Sequence, residues 1–314
     1  MPVFKRHPEN PLIKLNLKHY WEDEAVFNPG VTYFNNKFIM LYRAIGEYDH
    51  YISFVGLATS EDGVHFERQE KPLLQPERVY EQHGIEDLRI NPLKGDFYLT
   101  YTALSQPATQ GGEPHQVGLI KTKNFTEFER IGVITPKEFC SRNAVLFPEK
   151  INGDYIMIHR PLYLTKERYP KNEYYPAEPG IWISYSKNLI DWVNHQLLME
   201  SWFPWENFKI GGGPPPVKTE RGWLLIYHGV DQSRYYRAGV ALLDLNDPRK
   251  IIARSRQPIL EPEEEYERKG DVPNVVFPTG LILKDNTLYL YYGAADKTCC
   301  LATVPLTVFL DSIV

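Results

Sequence analysis

One carboxylate and four cations stand out as residues able to act on a single ligand. The carboxylate is Asp87, in Gly84-Ile-Glu-Asp-Leu-Arg89, and the cations are Arg142, Arg160, Lys209 and His228. Arginine forks match phosphate oxygens and a lysine adds a point charge, so the four together would make a site for a free anion such as phosphate. Lys209 leads into Gly211-Gly-Gly-Pro-Pro-Pro216. That stretch is too poor in side chains to serve as a core strand and suits close approach of backbone to a ligand. It does not fit the Walker pattern, so by itself it says little about phosphate. Asp87 is the candidate acid. Arg89, two residues along, is expected on the same face of the strand, with Glu86 pointing away into sheet packing. Asp296, in Tyr291-Tyr-Gly-Ala-Ala-Asp296, follows the exit of the fifth hairpin and could hold sugar hydroxyls. Each residue also has a plainer reading: Asp87 as a turn cap, each arginine as a staple between sheets, and Glu47, Asp49 and Asp271 as solvated loop acids.

These residues are far apart in the chain, and an internal repeat shows how they would meet. An apolar run, a tight polar turn and a second apolar run ending in an aromatic appear in Gly30–Tyr42, Asp87–Tyr101, Ala144–His159, Pro215–Tyr227 and Gly280–Tyr292. Asn, Asp, Gly or charged residues between alternating runs are hairpin signals. A second pattern follows, beginning at Val55, Val117, Ile181 and Val240, with a degenerate copy near Leu301. Four strands thus recur five times, which predicts an all-β, five-bladed β-propeller with four-stranded antiparallel blades. Residues 1–314 are then a single propeller domain, against a length prior of about two domains. A β-sandwich with accidental regularity is the alternative.

Inner strands of a propeller line its channel. Asn28, Asp87, Arg142-Asn143, Gly212-Gly213 and Phe277-Pro278 are expected just before the first strands. Arg43, Thr102, Arg160, His228 and Gly293 are expected at the exits of the second strands. Arg43, Arg160 and His228 in register predict a polar, cationic pocket at one mouth.

Composition agrees. The 314 residues include 21 Tyr, 15 Phe, 6 Trp, 25 Pro and 21 Gly, which suits short strands joined by turns and aromatic stacking on sugars. A net charge of -5 argues against a broad nucleic-acid footprint. No apolar run of transmembrane length and no signal-peptide h-region is present, so the cytoplasm is the expected location and no membrane partner is expected. Cys140, Cys299 and Cys300 read as buried free thiols, and no Cys/His spacing resembles a metal site.

Phe27-Asn-Pro-Gly30, Tyr42-Arg-Ala44, Gly84-Ile-Glu-Asp-Leu-Arg89, Leu146-Phe-Pro-Glu149, His159-Arg-Pro161, Lys209–Pro216, Tyr227-His-Gly229 and Tyr292-Gly-Ala-Ala-Asp296 together resemble glycoside hydrolase family 130. These are inverting β-mannoside phosphorylases on a five-bladed propeller, and the resemblance runs from about Phe27 to Pro305. It implies that Asp87 is the general acid, acting through the mannose 3-hydroxyl, and that phosphate attacks the anomeric carbon to give α-mannose 1-phosphate. Arg142, Arg160, Lys209 and His228 would bind the phosphate, and Asn28, Arg43, Arg89 and Asp296 the mannose. No metal and no cofactor is implied, inorganic phosphate being a co-substrate. Asn28 stands where related glycosidases place a catalytic Asp, and an amide cannot deprotonate water. Arg142-Asn143 departs from the lysine–aspartate pair of many members. The short chain leans toward β-1,2-mannobiose or short β-1,2-mannooligosaccharides. The alternatives are β-1,4-mannooligosaccharide or mannosylglucose phosphorolysis, a hydrolytic β-mannosidase with Asp271 or Glu47 as base, and a non-catalytic sugar-binding propeller. Trp202–Phe208 is expected as an acceptor-sugar platform or as a plug between blades, and Tyr169–Tyr175 as a second aromatic loop at the mouth. A homo-oligomer is possible on this reading.

Overall fold

A computed structural model describes residues 4–108, 114–136, 140–161 and 180–313. Five antiparallel sheets form five blades in a ring, each blade touching the next and blade five returning to blade one. Blade one runs Ala25–Phe34, Lys37–Ile45, Ser53–Ser60 and Glu67–Arg68. Blade two runs Ile85–Leu93, Asp96–Leu104, His115–Thr122 and Phe128–Val133. Blade three runs Ser141–Leu146, Tyr155–Pro161, Ile181–Ser186 and Trp192–Met199. Blade four runs Lys209–Gly212 with Val217–Thr219, then Gly222–Val230, Tyr236–Leu243 and Ile251–Arg254. Blade five runs Val276–Lys284, Thr287–Ala294 and Thr298–Pro305.

The inner hairpins form where the sequence supplies residues that accept positive φ. Asn35-Asn36, Lys94-Gly95, Asn152-Gly153 and Asp285-Asn286 each place two successive residues there, the requirement of a type I′ turn. The turn twist matches the strands, and alternating apolar residues close the hydrophobic layers between neighbouring blades.

Two expectations about strand boundaries are corrected. Gly211 and Gly212 are in the inner strand of blade four, paired with His228 and Tyr227. Their lack of side chains is offset by backbone pairing within the ring. The fourth strand of blade five comes from the other end of the chain: Lys5 and Arg6 pair with Thr303 and Ala302. Phe4 packs edge-on against Phe309 of the closing helix Leu306–Ile313, with ring centroids 5.1 Å apart.

Arg6 also completes a device repeated around the ring. A buried glutamate accepts a second-strand tyrosine hydroxyl and faces an outer-strand arginine in four blades. The sets are Glu22 with Tyr42 and Arg68, Glu81 with Tyr101 and Arg130, Glu206 with Tyr227 and Arg254, and Glu267 with Tyr292 and Arg6. Blade three has His159 at the tyrosine position, 3.2 Å from His195. Arg6 Nε lies 2.8 Å from Glu267 Oε1, and Glu267 is fully buried. Removing one partner of a buried pair costs about 3–5 kcal/mol. Arg6→Ala is therefore expected to lower Tm by at least about 5 °C in a thermal melt, given roughly 2–4 °C per kcal/mol for large domains. An unchanged Tm would show that the seam closes without this pair.

Candidate active site

The inner strands place their functional residues at β-bulges, inside the strand rather than before it. In blade one two residues, Asn28 and Pro29, face one partner between the Phe27–Arg43 and Gly30–Leu41 pairs. Asp87 and Leu88 do the same in blade two, and Asn143 and Ala144 in blade three. Asn28, Asp87 and Asn143 have φ of 51°, 54° and 55°. Asn and Asp tolerate this left-handed conformation, and a bulge re-aims its side chain. The residue before each bulge pairs with the second-strand residue of interest: Phe27 with Arg43, Glu86 with Thr102, Arg142 with Arg160 and, in blade five, Phe277 with Gly293. The equivalence expected between blades is thus present as hydrogen-bonded register.

One cavity at the channel mouth gathers Asn28, Arg43, Asp87, Arg142, Arg160, Lys209, His228 and Asp296. It encloses about 120 Å³. A larger groove of about 510 Å³ lies between the outer hairpins of blades three and four, away from these residues. Among the described residues no group of His, Cys, Asp and Glu is arranged to hold a metal.

Asp87 has one committed oxygen. Its Oδ1 accepts Nδ2–H of Asn28 at 2.7 Å and a guanidinium N–H of Arg43 at 3.4 Å. Gly293 makes this possible, because a Cβ there would collide with the Asn28 amide. Arg43 donates from Nε to Ser53 Oγ at 2.8 Å and is paired with Glu86, while its guanidinium lies 4.8 Å over the Phe27 ring. Burial would raise the Asp87 pKa, but Arg43, Arg89, the Asn28 amide and Arg142 outweigh it and hold the carboxyl below its usual value. Asp296 behaves oppositely. Burial, with Asp87 and Asp271 nearby, outweighs Arg43 and pushes its pKa up to about 7.

The cations crowd the other part of the cavity. Arg160 donates from Nε to Asn143 Oδ1 at 3.0 Å, and Lys209 donates from Nζ to the Tyr236 hydroxyl at 2.8 Å. Arg142 contacts His115, which also lies 3.5 Å from Cys140 Sγ. His228 packs against Phe277 with centroids 4.6 Å apart. Burial, then Arg160, Arg142 and Arg234, bring Lys209 down to about 7. Burial, then Arg160 and Lys209, hold His228 well below its usual value, so its imidazole is neutral. Like charges held this close favour an anion among them.

Gly211 permits the crowding. A Cβ there would sit 2.5 Å from His228 Cε1, 2.8 Å from Nε2 and 3.0 Å from Arg160 Nε. Gly211→Ala is therefore expected to weaken the binding of an anion among these side chains by about tenfold or more, the size of one lost charge-assisted contact, in a calorimetric titration with inorganic phosphate. Unchanged binding would mean the two side chains have room to move.

Arg89 is corrected. The bulge breaks the two-residue alternation, and Arg89 lies fully buried beneath the cavity rather than on its wall. It donates to the carbonyls of Gly213, at 3.0 Å from Nε, and of Asp87, which ties blade two to blade four. Burial lowers its pKa to about 10. Glu86 does turn away from the cavity, as expected, and is buried against Arg43. Asn143, Tyr236 and Phe277 also line the cavity. Of these, Asn143 and Phe277 carried a sequence signal, at equivalent inner-strand positions of the repeat, and Tyr236 carried none.

The other loop acids stand apart. Glu47 accepts the His50 backbone N–H at 2.9 Å in an exposed loop. Asp271 is bound by Tyr48 and Lys297. In Trp202–Phe208, Trp205 is a plug, stacked on Tyr227 with its indole N–H on the Arg256 carbonyl, while Trp202 is 77% exposed. Tyr169–Tyr175 lies outside the described residues. Cys140, Cys299 and Cys300 are buried and form no disulfide.

The family described as β-1,4-mannooligosaccharide phosphorylase, glycoside hydrolase family 130, matches residues 2–313. A 1,2-β-oligomannan phosphorylase of Thermoanaerobacter sp. (strain X514) is 40% identical over 98% of both chains. A β-1,2-mannobiose phosphorylase of the same strain is 39% identical, over 95% of this chain and 96% of that one. The structure of Listeria innocua β-1,2-mannobiose phosphorylase in complex with β-1,2-mannobiose is 29% identical. It superposes with a TM-score of 0.87 over 100% of this chain and 99% of that one.

Proposed function

The chain belongs to glycoside hydrolase family 130, and from that premise we propose that it is a β-mannoside phosphorylase acting on β-1,2-mannobiose or short β-1,2-mannooligosaccharides. The observation that carries the reading is the meeting of Asp87 with Arg142, Arg160, Lys209 and His228 in one cavity. In the proposed reaction a phosphate oxygen, held by the four basic side chains, forms a bond to the anomeric carbon from the face opposite the leaving sugar. The glycosidic C–O bond breaks with its electron pair on the leaving oxygen. That oxygen takes the mannose 3-hydroxyl proton, and Asp87 replaces it. The products are α-mannose 1-phosphate and a sugar one unit shorter, and the reaction is reversible. Asn28, Arg43 and Asp296 orient the mannose from the Asp87 side. Phosphate is the only co-substrate and no resident cofactor is needed.

A phosphate nucleophile arrives already ionised, so one carboxyl suffices. An inverting hydrolase requires a second carboxylate, roughly 6.5–9.5 Å from the first, to activate water. The bases open to a hydrolytic reading, Asp271 and Glu47, are absent from the cavity lining. The decisive experiment incubates β-1,2-mannobiose with the protein, with and without phosphate, and follows mannose 1-phosphate. Equal cleavage without phosphate would overturn the reading. Synthesis from mannose 1-phosphate on β-1,2- and β-1,4-linked acceptors tests the linkage, with β-1,2 expected from the named relatives. No described helix is long and apolar enough to cross a membrane. We place the activity in the cytoplasm, where phosphate and phosphorylated sugars are retained.

A further inference from the structure

Asp296 sits in a strained turn, and the residue after it is anchored on both sides of the ring seam. Between Ala294 and Lys297, whose backbone N–H donates to the Ala294 carbonyl at 3.0 Å, Ala295 and Asp296 have φ of 47° and 49°. An alanine there has no special tolerance for the left-handed region, so surrounding contacts must hold the turn. Backbone bonds fasten one side: Ala295 N–H to Val275 O at 3.1 Å and Val272 N–H to Ala295 O at 3.2 Å. The Lys297 side chain fastens the other. Its ammonium donates to the Tyr48 hydroxyl at 2.7 Å and lies 3.1 Å from Asp271 Oδ1, while the Tyr48 hydroxyl donates to the same Oδ1 at 2.7 Å. Tyr48 belongs to the blade-one loop after Arg43, and Asp271 precedes the inner strand of blade five. Tyr48 also stacks on Tyr51 at 6.0 Å, and Tyr51 lies 5.6 Å from the Arg43 guanidinium.

We propose that Lys297, clasped by Asp271 and Tyr48 across the seam, is a positioning residue that holds the Asp296 carboxyl toward the sugar. This rests on the phosphorylase reading of the cavity. An ordinary surface ion pair would bear on stability alone. Here the clasp ends one residue from a cavity-lining acid and one aromatic contact from Arg43, both on the sugar side, whereas the phosphate-side cations belong to blades three and four.

The test compares wild type, Lys297→Met, Lys297→Arg and Tyr48→Phe by Tm and by separate KM values for β-1,2-mannobiose and phosphate. Wild type must first yield mannose 1-phosphate; failure there rejects the phosphorylase reading rather than the clasp. Lys297→Met is expected to raise the mannobiose KM by about tenfold or more, since a displacement of about 1 Å costs up to ~10²-fold. The phosphate KM should stay within about twofold, and Lys297→Arg should recover most of the loss. Tyr48→Phe, at the exposed rim, should give a smaller rise in the mannobiose KM alone, and it serves if Lys297→Met does not fold. An unchanged mannobiose KM, or equal rises in both constants, would overturn the proposal.

Discussion

Asp87→Asn is expected to lower kcat for phosphorolysis of β-1,2-mannobiose by about 10²–10⁴-fold, the usual contribution of general acid catalysis. The substitution is a clean probe because the fold already accepts its product. Asn28 and Asn143 occupy the same bulge position in neighbouring blades, with φ within a few degrees of the 54° of Asp87. An asparagine can turn its carbonyl oxygen toward Asn28 and Arg43, the donors now meeting Oδ1. Tm and phosphate binding by calorimetry should therefore remain near wild type, so that lost turnover reports chemistry. A nitrophenyl β-mannoside, whose leaving group departs without a proton, should lose much less. Turnover of mannobiose within a few-fold of wild type would remove Asp87 from the acid role.

An acid must hold a proton, yet Arg43, Arg89 and Arg142 favour the Asp87 anion. Phosphate bound among the cations would offset part of that field, most directly at Arg142. On the proposed reading the Asp87 pKa would rise when the nucleophile arrives. Phosphate would then both attack and ready the acid, and the buried, neutral His228 would add no charge to oppose the change.

Much of the fold was legible because its signals are local. Type I′ turns demand residues such as Asn35-Asn36 or Asn152-Gly153, and these sit between alternating apolar runs. The site was legible because the ring converts repeat position into proximity, so Arg43, Arg160 and His228 reveal one mouth. What stayed hidden depends on long-range pairing. A strand of two residues, Lys5–Arg6, has no periodicity to read, and its partners lie almost 300 residues away in sequence. Arg89 was misplaced because a bulge inserts one residue and cancels the alternation on which its face was read. Gly211 and Gly212 read as a loop because backbone pairing leaves no side-chain signature. Tyr236 opens a third strand, as Ser53 and His115 do in blades one and two, but the three differ in residue type and so show no repeat in the sequence. The buried glutamates did repeat, but their meaning depends on tyrosines and arginines from other strands.

Arg160→Ala is the second large effect. Losing a charge-assisted contact to phosphate costs roughly 1.5–3 kcal/mol, so the phosphate KM should rise about 10–10²-fold while the mannobiose KM changes little. The substitution should also move a pH dependence. Lys209 is depressed to about 7 by burial and then by Arg160, its leading cationic neighbour. On the proposed reading phosphate would bind the ammonium form, so the wild-type phosphate KM should be lowest where Lys209 is protonated and should climb as pH rises above about 7. Removing Arg160 relieves the repulsion, so the Lys209 pKa rises and the alkaline climb starts at higher pH, although the KM is larger throughout. Initial rates at varied phosphate from pH 6 to 9, for both proteins, measure the two effects together. A rise in the mannobiose KM equal to that for phosphate would place Arg160 on the sugar. A limb that fails to move would separate Arg160 from Lys209, and with it the shared anion site.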